Sequence, residues 1–156
     1  MNFNNFTIKS QEAVQEAVNL VQSRGQQAIE PEHLMAGLLK VGENVTNFIF
    51  QKLGINGQQI ETVLDRQIAS LPKVSGGEAY LSRSANEVLQ KAVEVSKELG
   101  DEYVSLEALL LALLNVKSTV ATILKDAGLT DKELRAAIQE LRQGQKVTSQ
   151  SSEDTY

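Results

Sequence analysis

Few residues in this chain could do chemistry. One histidine, His33, stands among 156 residues, and cysteine is absent. A zinc site needs several imidazole or thiolate ligands, so none of the usual kind can be assembled. Disulfides and thiol chemistry are excluded as well. A serine–histidine–acid triad would rest wholly on His33, and a small hydrolase built on it is the enzymatic reading. The competing reading is a partly buried histidine satisfied by backbone groups. No Gly-Lys dipeptide and no GxGxxG occur, so neither Gly-rich phosphate-binding motif is present. The adjacent acids Asp101 and Glu102, and Glu153 and Asp154, read as solvated surface. The sequence therefore predicts no catalytic residue, no metal site and no cofactor for this chain.

Charge and hydropathy remove other classes. Net charge is −5 and there is no basic stripe, which argues against nucleic-acid binding. No helix carries the basic face needed at a membrane surface. The longest apolar stretch, 108–114, is far too short to span a bilayer. The first residues lack the apolar core of a signal peptide. The expectation is a soluble, cytoplasmic protein whose work is interaction.

The elements that would position an interaction surface come from a repeat. Sliding residues 7–39 by 75 positions onto 82–114 leaves nine of 33 identical, among them Gly25/Gly100, Glu32/Glu107 and Leu38/Leu113. Chance gives about two. The match resumes after a one-residue slip at Ile49/Ile123, Gly54/Gly128 and Leu64/Ile138. One motif is written twice.

Within each copy the periodicity is helical. Helices are predicted at about 7–24, 31–40, 44–53 and 56–70. The second copy predicts them at about 84–99, 106–114, 118–127 and 130–142. Thr7, Asn56, Ser105 and Thr130 can cap, Pro31 suits a first turn, and Gly25, Gly54, Gly100 and Gly128 are natural stops. Ser84 with Glu87 makes a possible capping box, and Ser82 is the rival cap. The helix at 106–114 is apolar all round and belongs at the centre of a domain. The fold expected is all-α, an eight-helix bundle of two pseudo-twofold-related four-helix repeats, with no sheet. The domain is 1–142, with repeat one at about 6–70, a connector at 71–81 and repeat two at about 82–142. The polar stretch 143–156 reads as a flexible linker. A seam between the halves, lined by apolar side chains and rimmed by acids, could accept extended apolar segments.

The stretches IEPEHLMAGLL at 29–39, YVSLEALLLALL at 103–114 and ILKDAGL at 123–129 resemble the paired signatures of the Clp amino-terminal domain. That module precedes the ATPase rings of Clp-type AAA+ unfoldases, and the resemblance covers nearly the whole chain. The tail GQKVTSQSSEDTY and the connector LPKVSGG resemble the ClpB-type disaggregases. The resemblance implies a substrate-recruiting domain, followed by ATPase domains that use ATP and Mg. It implies a homohexamer that works with the DnaK chaperone system and threads unfolded or aggregated polypeptides. Family residues implicated in substrate handling match Thr7, Asp101 and Glu107, and an apolar patch maps near Leu89 and Ala108. Lys91 departs from that patch, where an apolar residue can occur. The alternative is an adaptor-docking domain of a ClpA- or ClpC-type protease partner. A spacer that stabilises the hexamer is a further reading.

Overall fold

The computed structural model describes residues 2–156. Eight helices follow in order: α1 (Ile8–Ser23), α2 (Pro31–Val41), α3 (Glu43–Leu53), α4 (Gly57–Ala69), α5 (Arg83–Glu98), α6 (Leu106–Asn115), α7 (Thr119–Asp126) and α8 (Asp131–Arg142). Their starts are chemically specified. The side chains of Thr7, Asn56, Ser82, Ser105, Ser118 and Thr130 each accept an N–H from the first turn, satisfying donors that a helix leaves orphaned. Ser82 is the cap of α5, and the Ser84–Glu87 box does not form, because Ser84 already lies inside the helix. Gly25, Gly54, Gly100 and Gly128 all have positive φ, as left-handed helix ends require.

The pseudo-twofold relation shows in two short parallel contacts. Strand β1 (Ala28–Ile29) pairs with β2 (Tyr80–Leu81), Ile29 lying against Leu81. A single bridge joins Phe6 to Val104. Phe6 and Leu81 are repeat partners, and so are Ile29 and Val104. Each repeat's helix–helix link thus pairs with the segment entering the other repeat. The expectation of no sheet is corrected to this extent: two links that still owed backbone hydrogen bonds exchange them across the halves.

Helix α6 is the centre. Every residue from Leu106 to Leu114 is buried. Helices α1, α2, α5, α7 and α8 all pack against it, so an apolar circumference is covered on all sides. Helix α2 lies so close to α1 that a Cβ added at Gly37 would sit 2.2 Å from the Ala13 carbonyl oxygen.

The tail differs from the expected flexible linker. Gln143 takes a left-handed turn (φ 53) and the chain returns along the domain. Val147 is fully buried. The Glu102 N–H donates to the Val147 carbonyl at 2.8 Å, and the Ile8 N–H to the Gln150 carbonyl at 2.8 Å. Residues Ser152–Thr155 form a 3-10 turn. Backbone pairing and one apolar anchor hold a segment whose composition alone reads as disordered.

Candidate functional site

Three of the residues implied by the resemblance come together under that tail. The α1 cap Thr7, whose Oγ1 accepts from the Ser10 N–H at 3.1 Å, also donates its hydroxyl to Glu153 Oε2 at 2.6 Å. The same oxygen accepts the Leu106 N–H at 3.1 Å. Glu153 therefore puts a carboxylate at the N-terminus of α6, where the helix dipole favours it. One residue on, Glu107 Oε2 accepts from Arg142 Nε at 2.8 Å and from the Tyr156 hydroxyl at 2.7 Å. Asp101 accepts from both terminal nitrogens of Arg142, at 3.1 and 2.9 Å, and from the Val147 N–H at 3.0 Å. Ser105 Oγ accepts a further bond from Arg142 at 2.9 Å.

This cluster is sealed. The side chains of Arg142, Asp101 and Glu107 have no exposed surface, and Thr7 is fully buried. Burial alone would lower the Arg142 guanidinium, but Glu107 and Asp101 more than offset it and hold it above its ordinary range. Burial pushes the Glu153 carboxyl up to about 7, the Glu107 charge adding to it while the Thr7 hydroxyl and Leu106 N–H pull it back. Burial and Glu107 likewise push the Tyr156 phenol up. Glu107 Oε1 and Glu153 Oε1 are buried with no hydrogen-bond partner among the described residues.

The apolar pair is not with them. Leu89 lies on α5 and Ala108 on α6, both fully buried in the core. None of Thr7, Leu89, Glu107 and Ala108 offers side-chain surface to a partner in this conformation, and the Asp101 side chain is closed off by Arg142. His33 is also a structural residue. The Glu30 N–H donates to Nδ1 at 2.9 Å, so Nε2 carries the proton and donates to Gln26 Oε1 at 2.7 Å. Gln26 in turn donates to the Ile68 carbonyl at 2.7 Å. Burial, with Arg24 nearby, lowers the imidazole to about 4. With both nitrogens engaged, it is not poised to move a substrate proton.

The open surface lies elsewhere, within repeat one. Helices α1 to α4 enclose a cleft of about 1180 Å³. Half-buried Leu20, Ala36, Leu39 and Ile55 face it, with Phe50 and Leu64 behind them. Glu16, Glu43, Glu61 and Asp65 rim it, and Lys40 is the one basic residue of its lining. Lys40 pairs with Glu16 at 3.1 Å, and Arg24 pairs with Asp65, so Glu43 and Glu61 carry the uncompensated charge. Helical periodicity makes Leu20, Leu39 and Leu64 inward-facing positions, which does not separate a cleft floor from the core. The readable signal was the rim: Glu16, Glu61 and Asp65 have Lys91, Arg135 and Gln139 as repeat partners. Among the described residues no group of His, Cys, Asp or Glu is placed to hold a metal ion, and no single helix is long and apolar enough to cross a membrane.

Comparison with known proteins agrees with the repeat and the fold. The chain is 80% identical over 156 residues to the chaperone protein ClpB of Bacteroides thetaiotaomicron, covering 100% of this chain and 18% of that protein. It is 52% identical over 156 residues to the chaperone protein ClpB of Porphyromonas gingivalis, with the same coverage. The chain thus spans 18% of the length of these curated relatives. The crystal structure of the Hsp104 N-terminal domain from Candida albicans superposes with a TM-score of 0.84 at 22% identity, covering 96% of this chain and 99% of that one. The N-terminal domain of ClpV1 from E. coli does so at 0.78 and 22% identity, covering 90% and 88%. At those identities the two structures speak for the fold alone. A model described as the Clp repeat N-terminal domain matches residues 5–127, and the chain belongs to that family.

Proposed function

We propose that this domain recruits exposed apolar segments of unfolded or aggregated polypeptides, and that the repeat-one cleft is where they dock. The observation that carries this is the cleft itself. Leu20, Ala36, Leu39 and Ile55 present apolar surface to it, while their repeat partners Val95, Leu111, Leu114 and Leu129 are buried. The motif can close, and in one copy it stays open. The acidic rim selects segments whose apolar residues are flanked by Lys or Arg. A cleft that must accept many sequences binds each weakly. In a cytoplasmic hexamer, six copies would add avidity and hand the captured chain to an ATP- and Mg-dependent ring working with a DnaK-type chaperone. Similarity to two chaperones named ClpB supports this wider setting.

Leu20→Ser with Leu39→Ser should weaken binding of fluorescent casein at least about tenfold, since two apolar anchors are lost. Glu61→Lys should weaken lysine-flanked apolar peptides and strengthen aspartate-flanked ones. Unchanged affinity in both variants would refute the assignment of the cleft.

A further inference from the structure

We propose that residues 147–156 are a releasable strap, that Thr7, Asp101, Glu107 and Arg142 form its clamp, and that the three family positions in that clamp act by holding the strap rather than by touching polypeptide. The second half rests on the recruiting function proposed above.

The geometry is that of an extended segment in a built site. Four kinds of contact hold it. Val147 is fully buried as an apolar anchor. Its carbonyl accepts from the Glu102 N–H, and the Gln150 carbonyl accepts from the Ile8 N–H. Glu153 joins Thr7 to the first turn of α6. Tyr156 donates to Glu107, with its ring centroid 6.0 Å from the Arg142 guanidinium carbon. At the matching place in repeat one the connector runs along the link instead, its Val74 N–H donating to the Gly25 carbonyl at 2.9 Å and its Tyr80 N–H to the Gln27 carbonyl at 3.1 Å, with no carboxylate or guanidinium in those contacts. There the partner of Glu107 is Glu32, itself buried, and the partner of Arg142 is Ile68.

Release is built into the same contacts. Docking leaves Glu107 Oε1 and Glu153 Oε1 buried without partners, a desolvation cost that opposes the hydrogen bonds made. Apart from Val147 the strap buries no large apolar residue, so its opening free energy belongs to the low end of those found in one domain. Lys146, immediately before it, is exposed and can serve as the hinge. The α6 cap by Ser105 survives release, because its Oγ still accepts the Ala108 N–H. The clamp can therefore lose its ligand without unfolding the centre of the domain.

The experiment is amide hydrogen exchange on the full 156-residue chain, reading Ile8, Glu102, Leu106 and Val147, together with casein binding. Wild type should protect these four amides. On the strap side, Tyr156→Phe, which loses the bond to Glu107, and Glu153→Ala, which loses those from Thr7 and Leu106, should speed their exchange about 10–100-fold. Core amides such as Leu110 and Leu113 should not change. Thr7→Val on the clamp side should do the same. Trypsin should cut after Lys146 faster in all three variants. In casein binding, the strap-side and clamp-side variants should shift affinity together and in the same direction. Unprotected strap amides in the wild type would overturn the strap itself. A Thr7→Val variant that loses casein while Tyr156→Phe and Glu153→Ala keep it would overturn the reassignment and leave the recruiting function standing. Casein ignored by every variant and by wild type would refute the recruiting function and the reassignment, and the exchange data would still decide the strap. Tyr156 lies at the edge of the fold, so Tyr156→Phe remains informative even if a clamp variant fails to fold.

Discussion

The two repeats carry one motif and use it differently. Each must pin the link after its first helix to the end of its fourth. Repeat one does so with neutral groups, His33 to Gln26 to the Ile68 carbonyl. Repeat two uses charge at the matching positions: Asp101 replaces Gln26 and Arg142 replaces Ile68, with Glu107 on the guanidinium. Apolar packing diverges in the opposite sense. Repeat two closes around α6, while repeat one leaves a cleft between α1, α2, α3 and α4. The motif therefore specifies helices and links, and a handful of substitutions decides which copy is sealed and which is open.

The sharpest way to break that comparison is to remove the charge from repeat two. Arg142→Met leaves Asp101 and Glu107 buried without a counter-ion and should cost about 3–5 kcal/mol in chemical denaturation. Gln26→Ala, which removes the neutral pin, should cost only about 1–2 kcal/mol. Equal losses would mean that the two pins are interchangeable.

A smaller effect tests how tightly each first helix pair is packed. Gly37→Ala pushes a methyl onto the Ala13 carbonyl and should cost about 1–3 kcal/mol as overpacking. The reciprocal Ala112→Gly in repeat two should cost about 1 kcal/mol, the helix-propensity difference alone. Thermal unfolding of both variants reads the contrast directly.

Acidification separates the neutral pin of repeat one from the strap over repeat two. His33 is neutral when folded, with its pKa lowered to about 4 from 6.5. The stability this represents is present above pH 6.5 and is lost as pH falls towards 4, amounting to roughly 3 kcal/mol. Glu153 has the opposite sign. Its raised value, about 7, means that docking of the strap is tightest below about pH 4.5 and weakens as pH rises through 7. The Glu107 carboxylate beside it acts in the same direction, since a neighbouring negative charge disfavours its ionisation. Strap amides should exchange faster at pH 8 than at pH 6 after correction for intrinsic rates, and Glu153→Gln should flatten that dependence. The smallest expected change is in the cleft, where Leu20→Ser should cost under about 1 kcal/mol of stability because the side chain is only half-buried.

How much of this was readable in the sequence follows from the range of the forces involved. Helix starts and stops are local, so Thr7, Ser105, Thr130 and the four glycines announced them. Ser84 misled because the serine–glutamate spacing also occurs two residues past the true cap, Ser82. The strap was illegible because its partners are remote: Glu153 meets Thr7 146 positions away, and no periodicity marks it. The cleft was hidden for another reason. Leu20, Leu39 and Ile55 occupy the same motif positions as buried Val95, Leu114 and Leu129, so hydropathy alone cannot tell floor from core. Only the reversal of rim charge between the copies, Glu16 against Lys91 and Glu61 against Arg135, carried the distinction.

The central claim is that the open copy binds and the sealed copy holds the tail. A two-dimensional NMR titration of the full chain with casein tests it most directly. The account predicts shifts concentrated at Leu20, Leu39, Phe50 and Ile55, with Leu89 and Ala108 silent. Shifts centred on Leu89 and Ala108, with the repeat-one cleft unmoved, would contradict it.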